Sequence, residues 1–164
     1  MKRFIPLVLA VSCLVAASAA VAAAPSQHDR NFRTNLSGGE EVPPADTRAR
    51  GQATFQLSHD GTELHYRLIV ANIENVTMAH IHLAPAGVNG PVVAWLYPSA
   101  PPPELIPGRT DGVLATGTLT ADDLVGPLAG QLLADLIDEI RAGNTYVNVH
   151  TSQFPPGEIR GQIG

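Results

Sequence analysis

The chain has 164 residues, fifteen acidic against ten basic side chains, and one cysteine, Cys13. The length suits one domain with a core of its own. The net charge of −5 excludes a basic nucleic-acid footprint, and the stretch after Cys13, which has no cysteine, can hold neither a disulfide framework nor a thiolate metal site.

In chain order, the basic start "MKR" leads into "FIPLVLAVSCLVAASAAVAAA", an apolar run that ends in small residues. This is the layout of a secretory signal peptide over residues 1–24, with cleavage near Ala22 to Ala24. A retained membrane anchor and a lipid tether at Cys13, in "LAVSC", are the alternatives. The small-residue end favours cleavage, and the apolar stretch after Cys13 argues against lipidation. Cleavage removes Lys2 and Arg3 and leaves eight arginines against fifteen acids, a formal charge near −7. The expected product is a secreted or periplasmic protein without a membrane span. It has a short polar leader over residues 25–30 and one domain over residues 31–164.

Alternation with a period of two then dominates. Phe32, Thr34 and Leu36 share one face, as do Ala53, Phe55 and Leu57. Asp60-Gly61 is a hairpin signal, after which Leu64, Tyr66, Leu68 and Val70 resume the period. "VTMAHIHLA" and "VVAWLY" read as two strands around the turn "PAGVNG". "SAPPPELIPGRTDG", residues 99–112, reads as a proline-rich loop, with residues 98–110 as its contact stretch, because proline cannot donate to a central ladder. "VLATGTLT", "TYVNVHT" and "EIRGQIG" complete about eight short strands, which predicts a mainly β fold: an antiparallel, Greek-key-like sandwich or barrel. One segment departs from this pattern. In "PLAGQLLADLIDEIRAGN", Leu128, Leu132, Leu136, Ile137 and Ile140 form a helical stripe that stops at Gly143. Thr120 and Asp123 have the form of a capping box, so helix is expected near residues 120–142.

Side chains on a strand alternate between its two faces. Ala79 and Ile81 take the core face of their strand, which puts His80 and His82 on the other. Val147 and Val149 do the same for Tyr146, Asn148 and His150. Ile159 and Ile163 do it for Glu158, Arg160 and Gln162. If these strands are neighbours, His80, His82, His150 and Arg160 converge on the outer, half-solvated face of the sheet. Two histidines at i and i+2 lie about 6–7 Å apart at Cα, close enough to share an ion. A third imidazole completes a set suited to copper or zinc, with copper favoured by affinity order. Binding is then expected to weaken as pH falls through about 6.5, where free imidazole protonates. Asn148 or Glu158 would orient an imidazole, and Arg160 would support the site or attract an anion. The plainer alternative is that these histidines only sit on a solvated sheet. His28, His59 and His65 read as surface residues, and Trp95 and Tyr97 as packing on a sheet face.

The segments "VTMAHIHLAPAGVNGPVVAWLY" and "YVNVHTSQFPPGEIRGQIG", with the opening "FRTNLSGGEEVPPADTRARGQATFQLSHDGTELHYRLIVANIENV", closely resemble the CHRD domain, the module first described in chordin. The resemblance covers about Asn31 to Gly164. It implies an extracytoplasmic β-sandwich and does not imply an activity. A more distant resemblance is to copper-zinc superoxide dismutases, which carry a His-x-His pair, a later histidine and a C-terminal arginine that guides the anion. His80, His82, His150 and Arg160 fall in that order, with Arg160 the implied anion guide. The chain lacks a bridging histidine, a zinc loop and the disulfide, so the resemblance implies at most a copper-only variant. Three functions follow: an exported metal-binding protein, a metal-free extracellular module that contacts another macromolecule through its sheet edges or proline-rich loop, and a superoxide dismutase-like enzyme.

Overall fold

A computed structural model describes residues 30–164. The expected signal peptide, its cleavage site, Cys13 and His28 lie outside the described residues. Strands β1 (Asn31–Ser37), β2 (Arg50–Leu57), β3 (Leu64–Leu83), β4 (Val92–Tyr97), β5 (Ile106–Leu119), β6 (Thr145–Thr151) and β7 (Ile159–Gln162) are joined by short links and one helix, α1 (Leu133–Arg141). Every pairing is antiparallel. The order β2-β1-β7-β6-β3 closes on itself because β2 also pairs β3, while β4 and β5 add to β3 from outside this ring. The fold is thus a mainly β, antiparallel barrel with two extra strands.

The alternating sequence makes these strands. Phe32 and Leu36 of β1, Ala53, Phe55 and Leu57 of β2, and Leu64, Tyr66, Leu68 and Val70 of β3 are all buried, as their period of two requires. Their polar neighbours Arg33, Thr54 and Arg67 stay exposed. The barrel core continues through Ala79, Ile81, Val147, Val149 and Ile159. Burying a side chain of this kind is worth about 1.5–3 kcal/mol, so a slip of one residue in any strand, which would turn its whole apolar face outward, is strongly opposed.

Two details differ within the expected fold. Seven strands form among the described residues, because β3 runs unbroken through the segment "ANIEN" where the alternation fails. Asn72 (φ 57°) and Asn75 (φ 53°) adopt left-handed backbone, which asparagine tolerates better than most residues. Each adds a residue to the count, and the ladder to β6 slips once more between Val76 and Met78, so the core positions step by three (Val70, Ile73, Val76, Ala79) and pass from even to odd within one strand. Cross-strand bonds hold these irregular points: the Gly108 N–H donates to Asn75 Oδ1 (2.8 Å) and Arg109 Nη2 to Asn72 Oδ1 (2.6 Å). The second difference follows from the first. The last part of the expected proline-rich loop belongs to β5, since Ile106, Arg109 and Thr110 pair with Val76, Glu74 and Ile73. The outer position of β5 tolerates Pro107, and its exposed side chains show no apolar alternation from which a strand could be read.

Between β5 and β6 the chain forms two 3-10 turns, Ala121–Asp123 and Gly126–Leu128, and then α1. The expected cap is present: the backbone N–H and hydroxyl of Thr120 both donate to Asp123 Oδ2 (2.8 and 2.9 Å). Leu128, Leu136, Ile137 and Ile140 are buried, but Leu132 is exposed, because it occupies the N-cap of α1 and not a helical position. Gly143 takes the left-handed conformation (φ 73°) that ends the helix.

Candidate metal centre

Ladder register places the polar side chains of four strands in rows. Trp95 of β4, His80 of β3, Asn148 of β6 and Arg160 of β7 form one row. His82 and Tyr146 belong to the next. Met78 and His150 are partners in the row on the other side. His80, His82 and His150 each offer one ligand atom, and these atoms lie within 4.8 Å of one another. The expected convergence on the face opposite the aliphatic core is therefore present.

That face is not half-solvated, as expected above, but covered. His80, His82 and His150 are only 3 %, 8 % and 6 % exposed. The links before β2, between β3 and β4, and before β7 fold over them and bring polar groups of their own. His82 Nδ1–H donates to the Gly90 carbonyl (2.9 Å), and His150 Nδ1–H donates to the Pro155 carbonyl (2.9 Å). A carbonyl can only accept, so both rings carry their proton on Nδ1 and turn an Nε2 lone pair inward. This corrects the expected orienting groups, since backbone oxygens hold the rings. Glu158 accepts instead from Thr47 Oγ1 (2.6 Å) and Thr151 Oγ1 (2.8 Å). Asn148 lies under Gly157, at which a Cβ would meet its amide and Glu41.

Gly90 has a double role. Its N–H donates to the Tyr146 hydroxyl (3.1 Å) while its carbonyl holds His82. Tyr146 stacks on His82, with centroids 4.8 Å apart and planes 9° from parallel. A Cβ at position 90 would stand 2.0 Å from the Leu83 carbonyl oxygen, so only glycine lets the link pass this close.

His80 Nδ1 lies 3.3 Å from His150 Nε2. His150 Nε2 is an acceptor by the argument above, so His80 Nδ1 donates to it in the ion-free protein. The same spacing is the ligand–ligand edge of a tetrahedral site with metal–nitrogen bonds of about 2.05 Å, an edge of about 3.3 Å. The Nε2 atoms of His80 and His82 are buried without a protein hydrogen-bond partner, and an unsatisfied buried polar group costs about 1–3 kcal/mol. Trp95 packs edge-on against His80 at 4.2 Å.

Burial keeps the rings neutral. It pushes His80 down to about 3, helped by His150 and His82 nearby. It pushes His82 down to about 4 against the opposing Gly90 bond, with help from His150 and Arg160. His150 is lowered by burial and by Arg160, and is partly restored by its Pro155 bond. These shifts run against the expectation that protons compete near 6.5: His80 and His82 stay neutral until pH falls toward about 3 and about 4, and His150 is shifted in the same direction.

Arg160 is not an accessible anion guide. It is 5 % exposed. Its Nε donates to Glu41 Oε2 (2.9 Å), its Nη1 to the Val88 carbonyl (3.4 Å) and its Nη2 to Asn89 Oδ1. The guanidinium also lies 4.4 Å over the Tyr146 ring. Burial raises the Glu41 pKa, and the bond and charge of Arg160 offset part of that rise. Asn89 Nδ2 donates to the Val42 carbonyl (2.9 Å), so Arg160 and Asn89 tie together two of the links that cover the histidines.

Glu41, Gly90, Asn89 and Pro155 are not legible in the sequence as parts of the site, because all four lie in irregular segments where no periodicity reports a contact. Tyr146 was placed on the correct face by parity. His65 and His59 are exposed, as expected. No helix among the described residues is long and apolar enough to cross a membrane. A family model described as the CHRD domain matches residues 32–163. No curated protein and no solved structure matches the chain.

Proposed function

The chain belongs to the CHRD-domain family, and on that premise we propose that it is an exported protein that binds one transition-metal ion through His80, His82 and His150, with copper favoured over zinc. The observation that carries this reading is the buried triad itself: two rings held by backbone carbonyls so that their free nitrogens turn toward a common point, with the third only 3.3 Å from one of them. Carbonyl–histidine pairs of this kind orient ligands and raise their basicity at metal sites. A histidine merely tolerated on a sheet would not need to be buried, and it would carry no such bonds.

On this reading Arg160 holds the cover closed through Glu41, Val88 and Asn89. Superoxide chemistry gains nothing from Arg160, since an anion guide must present its charge to solvent. Metal analysis of the exported protein, with calorimetry of wild type, His82→Ala and His150→Ala, tests the proposal. One ion per chain in wild type and almost none in the variants is the expected result. Wild type that takes up neither copper nor zinc would sink it.

The interaction-module reading draws on a different region. Among the described residues β5 pairs only with β3, and exposed Val113 and Leu105 lie on or beside it. A pull-down from the extracellular medium that depends on Val113 and is indifferent to the histidines would favour it.

A further inference from the structure

The metal reading leaves open which charge state the site suits, and the donors around the triad bear on that. Among the described residues no carboxylate belongs to the ligand cluster. Glu41 pairs with Arg160 through Oε2, and Glu158 accepts from Thr47 and Thr151. The ligand set is therefore three neutral nitrogens, almost wholly buried. Arg160, over the Tyr146 ring that stacks on His82, is paired with Glu41, so the two together bring no net charge to the site. The cost of placing an ion in such surroundings grows with the square of its charge, so a divalent ion costs about four times as much as a monovalent one. Nothing among the donors offsets the difference.

A fourth side chain shares the face. Met78, His80 and His82 alternate with the core residues Ala79 and Ile81 along β3. Met78 is the ladder partner of His150. Directly opposed residues in an antiparallel pair have Cβ atoms about 5 Å apart, and the three rotatable bonds of methionine span that gap. Met78 is half-buried and stands outside the aliphatic core cluster. Thioethers are soft donors that select copper(I), whereas zinc takes nitrogen, oxygen or thiolate.

We propose that the site selects copper(I), with the Met78 thioether as a fourth, soft donor beside His80, His82 and His150. This rests on the metal-binding reading and narrows it to one ion and one oxidation state. Reduced copper needs no charge compensation beyond what water-excluding neutral ligands provide, and a mixed nitrogen–sulfur set of low coordination number suits it.

The test uses the full exported chain under anaerobic, reducing conditions. Copper(I) is titrated in competition with a chromophoric copper(I) chelator, and zinc(II) and copper(II) are titrated separately, each with wild type and Met78→Leu. Leucine nearly conserves the volume, so folding is preserved. X-ray absorption at the copper edge reports the neighbours of the bound ion. Copper(I) should bind at one per chain and at least about 100-fold tighter than zinc(II), and Met78→Leu should weaken copper(I) about tenfold while leaving zinc(II) unchanged. A sulfur neighbour should be visible in wild type and lost in the variant. Zinc(II) or copper(II) binding as tight as copper(I), or copper surrounded by nitrogen alone, would overturn the proposal and leave the metal site standing. Wild type that binds none of the three ions would remove both readings together.

Discussion

His65 and His80 lie on the same strand, and both point away from the aliphatic core, yet their situations are opposite. His65 is exposed beside Glu63 (3.5 Å) and bonds Thr118 (2.9 Å) on a bare sheet face with Arg33, Thr54 and Arg67. His80 is buried among His82, His150 and Trp95 beneath three folded links. The two halves of β3 thus present the same alternation and bury it differently. A polar residue on the non-core side of a strand becomes a ligand candidate only where the chain returns to cover it. The cover excludes water, keeps the imidazoles neutral and supplies the carbonyls that aim them.

The largest effect that separates the two faces should be on metal affinity. His150→Ala should lower it by at least about 100-fold, because it removes one of three ligands, while His65→Ala leaves it unchanged. Competition against a chelator measures both. Equal effects would erase the distinction between the two regions.

Next in size is the removal of a charge. Arg160→Ala leaves the Glu41 carboxylate buried and unpaired, and breaking a buried pair from one side costs about 3–5 kcal/mol. Arg33→Ala or Arg67→Ala, on the bare face, should stay within about 0.5 kcal/mol. Urea unfolding of the metal-free proteins decides it. Glu41→Gln combined with Arg160→Met should recover part of the loss, since it removes both charges.

Acid should act in the same direction. Folding lowers the pKa of His80 to about 3 and that of His82 to about 4, against about 6.5 in the unfolded chain. Between those limits the unfolded chain takes up protons that the folded one refuses. The stability these rings contribute is therefore complete above pH 6.5 and is lost as pH falls toward 3 to 4. Unfolding midpoints of the metal-free protein between about pH 7 and pH 4 should fall, and His65→Ala should not change the slope. Bound metal should still be retained at about pH 5.5, where an exposed imidazole site would be losing it.

The smallest effect sharpens the role of the cover. Gly90→Ala places a methyl against the Leu83 carbonyl and so displaces the link that holds His82. Metal affinity should fall by about 10- to 100-fold, the usual result of losing a partner that orients a ligand, with all three histidines still present. Gly61→Ala, in an open turn with nothing within 4 Å of the added carbon, should leave affinity unchanged, although its positive φ (75°) makes it mildly destabilising.

By itself the sequence determined the strands with regular alternation, the capped helical insertion between β5 and β6, and the side of each strand on which His80, His82, His150, Tyr146, Asn148 and Arg160 stand. Those are local properties, since the period of a strand and the chemistry of a cap are written in adjacent residues. Tertiary structure alone decided that β3 is one strand, because left-handed Asn72 and Asn75 break the alternation while cross-strand bonds to β5 preserve the pairing. It also decided that the histidine face is roofed, that Gly90 and Pro155 aim the rings, and that Arg160 is bound to Glu41, 119 positions away. These contacts join irregular segments to distant strands. An irregular segment has no period to betray its neighbours, and a buried charge reveals its partner only when the chain has closed around both.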